Sequence, residues 1–385
     1  MDENGIASKI SAIVINEYKK LKVSSKPITR SNGVKEWTVL AGIVAYNLST
    51  EEYHPISITT GVKATPDSEL SRSCGKMIHD GHAEILALRS FNTVLLHEIR
   101  NIQQGSCSKF ISKSDEEGIY SWNKELKIAL YISKLPCGDA SMDTIKDSTD
   151  PDAKFPIMDD DPYQFIDPTN TTILRGRLNF KRRKVVRTKP GRFDSNITLS
   201  KSCSDKLFSK QIMSVLNSLT WSLFDHPIYI RYIIVPNLSA ETQEILNKQF
   251  ANRIKNLGIP ISTFRFITCN EQFPDDNVDS LMEPSSLNGI KLIFGPNQNI
   301  EQSILNGVKN GFYSKGKKPL RKNCESSISR YAQWQVFKMI EGISTTASPY
   351  LSFKASQTSR NDLKERLRSK MSPDGWISTS KDNCL

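Results

Sequence analysis

Apolar residues near the start of the chain recur at helical spacing. Ile6, Ile10, Ile13, Ile15, Tyr18 and Leu21 predict an amphipathic first helix. The polar stretch Ser24–Asn32 reads as a connector. Trp37–Tyr46 and Ile56–Thr60 are short, β-rich apolar runs that predict two antiparallel strands. A helix then fits His82 to about Ile102, with Ile85, Leu86, Leu88, Val94 and Leu95 facing inward. Leu126–Ser133 (LKIALYIS) is almost wholly apolar at its centre, as a strand covered on both faces requires. It runs into Pro136-Cys137-Gly138-Asp139, a turn expected to open another helix.

Ser148–Pro162 is rich in Asp and Pro and reads as a surface loop. Further along, the pattern predicts a helix from Cys203 to about Leu219, a buried strand at Ile228–Val235 and a helix near Ala240–Leu257. A strand near Lys291–Phe294 and helices near Ile328–Ile340 and Gln357–Met371 follow. Strands alternate with helices from Leu126 onward, which argues for a layered α/β core rather than an all-α or all-β fold. No internal repeat and no sharp composition break divides the chain.

Composition narrows the partners. A formal net charge of +11 over 385 residues favours a polyanion, nucleic acid first and an anionic membrane surface second. The charge is uneven: in Arg177–Arg192 eight of sixteen residues are Lys or Arg and none is acidic. KRRK at Lys181–Lys184 reads as a phosphate-contacting, nuclear-import or solvated turn. The seven cysteines are odd in number and irregularly spaced, and Met1–Ser8 has no apolar signal region. A reducing, intracellular compartment is therefore expected, cytoplasm and nucleus both being open. No apolar run approaches the roughly 20 residues that span a bilayer, so no membrane partner is expected. The sequence does not fix the oligomeric state, and a monomer is compatible with it.

Three short pieces carry candidate chemistry: His82-Ala83-Glu84 at a helix start, Pro136-Cys137 after an apolar strand, and Ser202-Cys203-Ser204-Asp205-Lys206 where another helix should begin. A catalytic zinc takes three nitrogen or thiolate ligands and keeps one position for water, whose pKa falls from about 15.7 towards 7. His82, Cys137 and Cys203 make such a set. Each is expected in the first turn of its own helix, where the dipole favours thiolate. Glu84, beside the imidazole but not a ligand, is placed to shuttle protons. The combination matches the H-x-E and P-C signature of nucleobase deaminases. The usual C-x-x-C is absent, since Ala140 stands where its second Cys would be. Spacing alone leaves the third ligand open among the six cysteines other than Cys137.

Gly81–Ile85, Leu135–Ala140 and Ser202–Lys206 lie in the order and at the distances seen in adenosine deaminases acting on RNA. Arg187-Thr188-Lys189-Pro190-Gly191-Arg192 resembles the branch that acts on tRNA. The resemblance runs from Trp37 to Trp376. It implies a cytidine-deaminase-like α/β/α core with a mixed central sheet and a C-terminal helical part around a buried polyanion. It also implies one editase domain over 1–385, without a separate double-stranded-RNA-binding domain. The implied reaction is zinc-dependent hydrolysis of adenosine to inosine in tRNA, at the adenosine 3′ of the anticodon in alanine tRNA. The implied zinc ligands are His82, Cys137 and Cys203, with Glu84 as proton shuttle.

The family buries inositol hexakisphosphate behind the zinc. Matching positions here are Lys63, Asp80, Arg89, Lys206, Tyr350, Lys354, Lys364 and Trp376. The chain departs from the pattern at Leu88, where messenger-editing members have a second Arg, and at Phe208-Ser209-Lys210, where Ala-Arg-Trp is usual. Arg360 takes a position often held by Tyr, and Lys210 can replace the missing Arg. Lys181, Arg182, Arg183, Lys184, Arg187, Lys189 and Arg192 are expected to contact RNA. Alternatives from other classes are a free-nucleoside deaminase, a non-catalytic zinc protein that binds RNA and a metal-free basic scaffold. The first has little use for a charge of +11, and the second no need of Glu84.

Overall fold

The computed structural model describes residues 2–144, 161–191, 195–254, 262–295, 298–316, 318–342, 349–379 and 381–384. Eight strands make the central sheet: β1 Leu40–Asn47, β2 Glu52–Thr60, β3 Lys127–Ile132, β4 Ile230–Pro236, β5 Arg265–Cys269, β6 Leu287–Gly295, β7 Gln298–Leu305 and β8 Val308–Lys309. Their order across the sheet is β5-β4-β3-β1-β2-β6-β7-β8. β3, β4 and β5 run parallel, while every other neighbouring pair is antiparallel. The helices are α1 Glu3–Lys19, α2 Ala83–Gln103, α3 Cys203–Met213, α4 Ser218–Trp221, α5 Ala240–Ile254, α6 Arg330–Lys338, α7 Tyr350–Ser356 and α8 Thr358–Met371.

The unbroken apolar run of β3 is explained by what covers it. Ile128, Leu130 and Ile132 point into the core beneath α2, whereas Ala129 and Tyr131 join a second core beneath α1. Period-two alternation thus sorts one strand between two layers. Asp2 caps α1 by accepting from the Gly5 N–H, and the helix lies close to the sheet because β1 offers a glycine. A Cβ at Gly42 would stand 2.7 Å from both γ-carbons of Val14. The layered α/β fold is as the pattern predicts, and the mixed sheet is as the resemblance implies.

Local differences have identifiable causes. The helix expected over Cys203–Leu219 stops at Met213, because Ser214 adopts φ +70° and its hydroxyl bonds the Ile228 backbone. A separate turn, α4, restarts under an Asn217–Thr220 capping box. After Pro136-Cys137-Gly138 comes a short 3₁₀ segment, Asp139–Thr144, not an α-helix. Strands β5, β7 and β8 and helix α7 are additional to the sequence expectation. The loop expected at Ser148–Pro162 and the end of the helix expected to reach Leu257 lie largely outside the described residues. Among the described residues, no helix is long and apolar enough to cross a membrane.

The C-terminal helices close over α2 and α3. Trp334 is fully buried among Phe337, Tyr350 and Phe353. The tail beyond α8 returns to the loop before α2: the Asp382 carboxylate meets His79 Nε2 at 2.6 Å and accepts from Ser73 Oγ at 2.8 Å and Gly75 N at 2.6 Å.

Gly42→Val should force α1 off the sheet, since two methyl groups already occupy the space. The expected loss is about 1–3 kcal/mol, typical of overpacking. It would be read as a lower urea midpoint with an unchanged slope.

Candidate active site

Three turns bring the candidate ligands together. His82 is the N-cap of α2, one position before its first turn, with φ −67° and ψ 137°. Its approach is stitched to the sheet: Gly81 N–H bonds Lys63 O, Ala83 N–H bonds Gly61 O, and the Asn288 amide donates to Gly81 O at 2.9 Å. Cys137 follows β3, and Cys203 is the first residue of α3. The two cysteine turns interlock. Ser204 N–H donates to Cys137 O, and Ser204 Oγ donates to Pro136 O while accepting from Ala140 N–H. Gly138, at φ +97°, makes the approach possible, because a Cβ there would lie 2.3 Å from Ser202 Oγ.

The donor atoms of His82, Cys137 and Cys203 all lie within 4.8 Å of one another. His82 Nδ1 is 3.8 Å from Cys137 Sγ and 3.5 Å from Cys203 Sγ. Tetrahedral zinc with ordinary bond lengths asks for N···S separations of about 3.6 Å. The set therefore fits such an ion in atom type and spacing. Cys203 N–H also points at Cys137 Sγ, 3.3 Å away. The hydrogen bond with Cys203 pulls the Cys137 thiol well below its usual range; burial opposes this, while Lys189 and His82 reinforce it. Glu84, in the first turn of α2, is only 3% exposed, and its charge is felt by both Cys203 and Lys189.

A buried ion-pair network lies behind the triad. Lys189 Nζ is 2.9 Å from Cys203 Sγ and within 2.8 Å of both Asp80 oxygens. Lys206 reaches the same carboxylate and bonds Ser200 Oγ at 2.7 Å. Asp80 also accepts the His82 backbone N–H at 3.1 Å. Burial alone would raise the Asp80 carboxyl, but Lys189, Lys206 and His82 outweigh it and hold it well below the usual range.

An adenosine-deaminase (editase) domain model matches residues 57–374. The chain is 50% identical over 388 residues to "tRNA-specific adenosine deaminase 1" of Saccharomyces cerevisiae, covering 99% of this chain and 95% of that protein. The chain belongs to the adenosine-deaminase (editase) family. A Schizosaccharomyces pombe protein of the same name is 38% identical over 61% of this chain and 58% of its own length. "Double-stranded RNA-specific editase B2" of Mus musculus is 26% identical over 67% of this chain and 34% of that protein. Membership makes the chain an enzyme that deaminates adenosine, and the His/Cys/Cys cluster agrees with the zinc dependence of these editases.

Within this editase the basic residues fall into two populations. One is buried under the C-terminal helices. Burial, then Arg360, pushes Lys210 down to about 7. Lys354 is also pushed to about 7 by burial, followed by Lys364, Arg330, Arg360 and Arg368. Burial and Arg330 bring Arg89 to about 10. Burial also lowers Lys201 to about 8, with Lys206 and Arg368 adding to the effect and Asp205 opposing it. Lys201 and Arg368 stand 5.2 Å and 5.0 Å over the Trp376 ring. Arg330 lies 5.4 Å over Tyr350. The indole N–H of Trp334, Nε of Arg360 and the Gln211 amide make no hydrogen bond among the described residues. Mutually repelling cations beside unsatisfied polar atoms fit a polyanion.

Two expected members of that set are elsewhere. Lys63 is exposed, bonds Ser286 Oγ at 2.7 Å, and feels Arg30, Glu36 and Glu283 rather than the cluster. Asp80, itself anionic, touches the cluster through Lys206 and is felt by Arg89. Conversely, Lys201, Arg330, Arg360 and Arg368 are absent from the expected ligand set. Arg360, Lys364 and Arg368 recur every four residues along α8, a spacing that places them on one face and was legible in the sequence.

The second population is the basic loop. Lys181 and Lys184 are exposed, and Arg182 and Arg183 half-buried. Arg187 and Lys189, expected on the RNA-facing surface, are instead buried at 1% and 3% exposure. Arg187 donates to the carbonyls of Gly176, Leu178, Asn179 and Arg182 and so shapes the loop from within. Arg192 lies outside the described residues.

Because Lys210 and Lys354 sit near 7, below the ordinary value of about 10.5, folding disfavours their protons. Their penalty is absent above the unfolded value and grows as pH falls towards 7. Protein stripped of polyanions should therefore gain thermal stability between pH 7 and pH 9, and Lys210→Met should flatten that rise in a calorimetric scan.

Proposed function

We propose that this chain converts adenosine to inosine in tRNA, acting on the adenosine immediately 3′ of the anticodon in alanine tRNA. Residues 1–385 would work as one editase domain. Support for tRNA comes from the yeast relative, half identical along almost the whole chain, whose name specifies that substrate. The chemistry rests on one observation: His82, Cys137 and Cys203, of which the first and last stand 121 positions apart in sequence, converge beside the buried Glu84.

In this reading His82, Cys137 and Cys203 hold zinc, which supplies Lewis acidity that makes water nucleophilic near neutral pH. Glu84 accepts the proton that water loses as its oxygen bonds to C6 of adenine, and delivers it to the ring nitrogen. The proton left on the oxygen now bonded to C6 then passes through Glu84 to the amino group as the C–N bond breaks, the C6 carbonyl forms and ammonia leaves. Lys189 donates to Cys203 and keeps positive charge against the thiolate, while Asp80 keeps that lysine in place. The buried cationic cluster holds inositol hexakisphosphate through Arg89, Lys206, Lys210, Tyr350, Lys354, Lys364 and Trp376, with Lys201, Arg330, Arg360 and Arg368 added. Exposed Lys181 and Lys184, with Arg182 and Arg183, contact tRNA phosphates.

Glu84→Ala should keep one zinc per chain by elemental analysis yet lose about 10²-fold or more in kcat for inosine formation in tRNA. An active variant would remove Glu84 from the mechanism. Lys181→Glu with Lys184→Glu should weaken tRNA binding and reduce the slope of log K against log salt by about one for each phosphate no longer neutralised. An unchanged slope would place the tRNA elsewhere.

A further inference from the structure

An aspartate stands two residues after each cysteine of the triad: Asp139 after Cys137 and Asp205 after Cys203. Both turn towards Arg253, near the end of α5, a residue that belongs to none of the three motifs. Arg253 NH2 donates to Asp205 Oδ1 at 2.6 Å, and its NH1 lies 3.8 Å from Asp139 Oδ2. The guanidinium also donates to Val185 O at 3.3 Å and lies 4.8 Å over the Phe208 ring, with only 11% of the side chain exposed. Arg187 faces the same two carboxylates: its backbone N–H bonds Asp205 Oδ2 at 2.9 Å, and its Nε is 3.8 Å from Asp139 Oδ1. Asp205 Oδ2 also accepts from Ser202 Oγ at 2.6 Å.

Two buried carboxylates side by side repel and lose hydration, so each needs a cation. A single planar fork facing both also sets the distance between the turns that carry them. Those turns are short. Any change in the Asp139–Asp205 separation passes within two residues to Cys137 and Cys203. Because Arg253 also bonds Val185 O at the end of the basic loop, three segments share one guanidinium.

We infer that Arg253 is a positioning residue for the cysteine pair, fixing the separation of the two sulfurs by bridging Asp139 and Asp205. The inference rests on the reading of His82, Cys137 and Cys203 as a zinc site. Partners behind metal ligands typically contribute 10–100-fold in affinity. Arg253→Gln should keep its far-UV circular dichroism, lose zinc to a chromophoric chelator about 10–100-fold more readily, and show a shifted thiolate-to-cobalt band after cobalt substitution. Its kcat should fall while KM for tRNA stays within about twofold, and Arg253→Lys should recover part of the zinc affinity. Wild-type chelator competition and an unshifted cobalt band in Arg253→Gln would overturn the inference. If Arg253→Gln does not fold, Asp139→Asn, which leaves the 2.6 Å contact to Asp205 intact, should shift the cobalt band and loosen zinc, and an unchanged site there would equally overturn it. A wild-type chain that takes up neither zinc nor cobalt would instead overturn the metal-site reading, and this inference with it.

Discussion

Asp80 stays ionised in the interior because two lysines reach it, and much of the site is arranged by that fact. Lys189 approaches from the segment after the basic loop and Lys206 from the first turns of α3, while the His82 backbone bonds the same carboxylate. One buried anion thereby links the His82 turn, the lysine that faces Cys203 and the edge of the cationic cluster. Removing both lysines would leave a buried charge uncompensated, which costs more than the pairs themselves contribute. This dependence makes the arrangement of triad and cluster a single cooperative unit.

Positive charge serves two opposite purposes in this chain. Under the C-terminal helices Arg360 repels both Lys210 and Lys354 in a desolvated space, and Arg330 repels Arg89, a strain that a bound polyanion would relieve. On the basic loop, Lys181 and Lys184 face solvent, and the guanidinium that organises them, Arg187, is turned inward onto four carbonyls and lies 3.8 Å from the Asp139 carboxylate. Net charge alone therefore overstates the surface available to nucleic acid.

The sequence discloses features carried by period and by local chemistry. The double-sided strand β3, the amphipathic α1 and the long α2 follow from apolar spacing. β7 escapes notice because QNIEQSIL lies largely half-exposed and its polar residues hide the alternation. The early end of α3 depends on Ser214 bonding Ile228, a contact between distant segments that no local signal announces. The Pro-Cys and H-x-E pieces are visible as text, but the pairing of Cys137 with Cys203 is a tertiary event. The misplacement of Arg187 and Lys189 on the surface has the same origin. A run of bases looks uniform in sequence, and only the partners Asp80, Asp139 and Asp205 distinguish the buried members.

The clasp formed by Asp382 bears on the order of assembly during synthesis. It closes the loop leading to His82 from 303 residues beyond its partner His79. On a translating ribosome the sheet and α2 emerge long before that carboxylate does. Until then His79, Ser73 and the Gly75 amide lack their acceptor, and the entrance to the ligand turn is only half built. Maturation should thus run from scaffold to clasp, with the His82 turn, the first of the three site motifs to be translated, among the last to be secured.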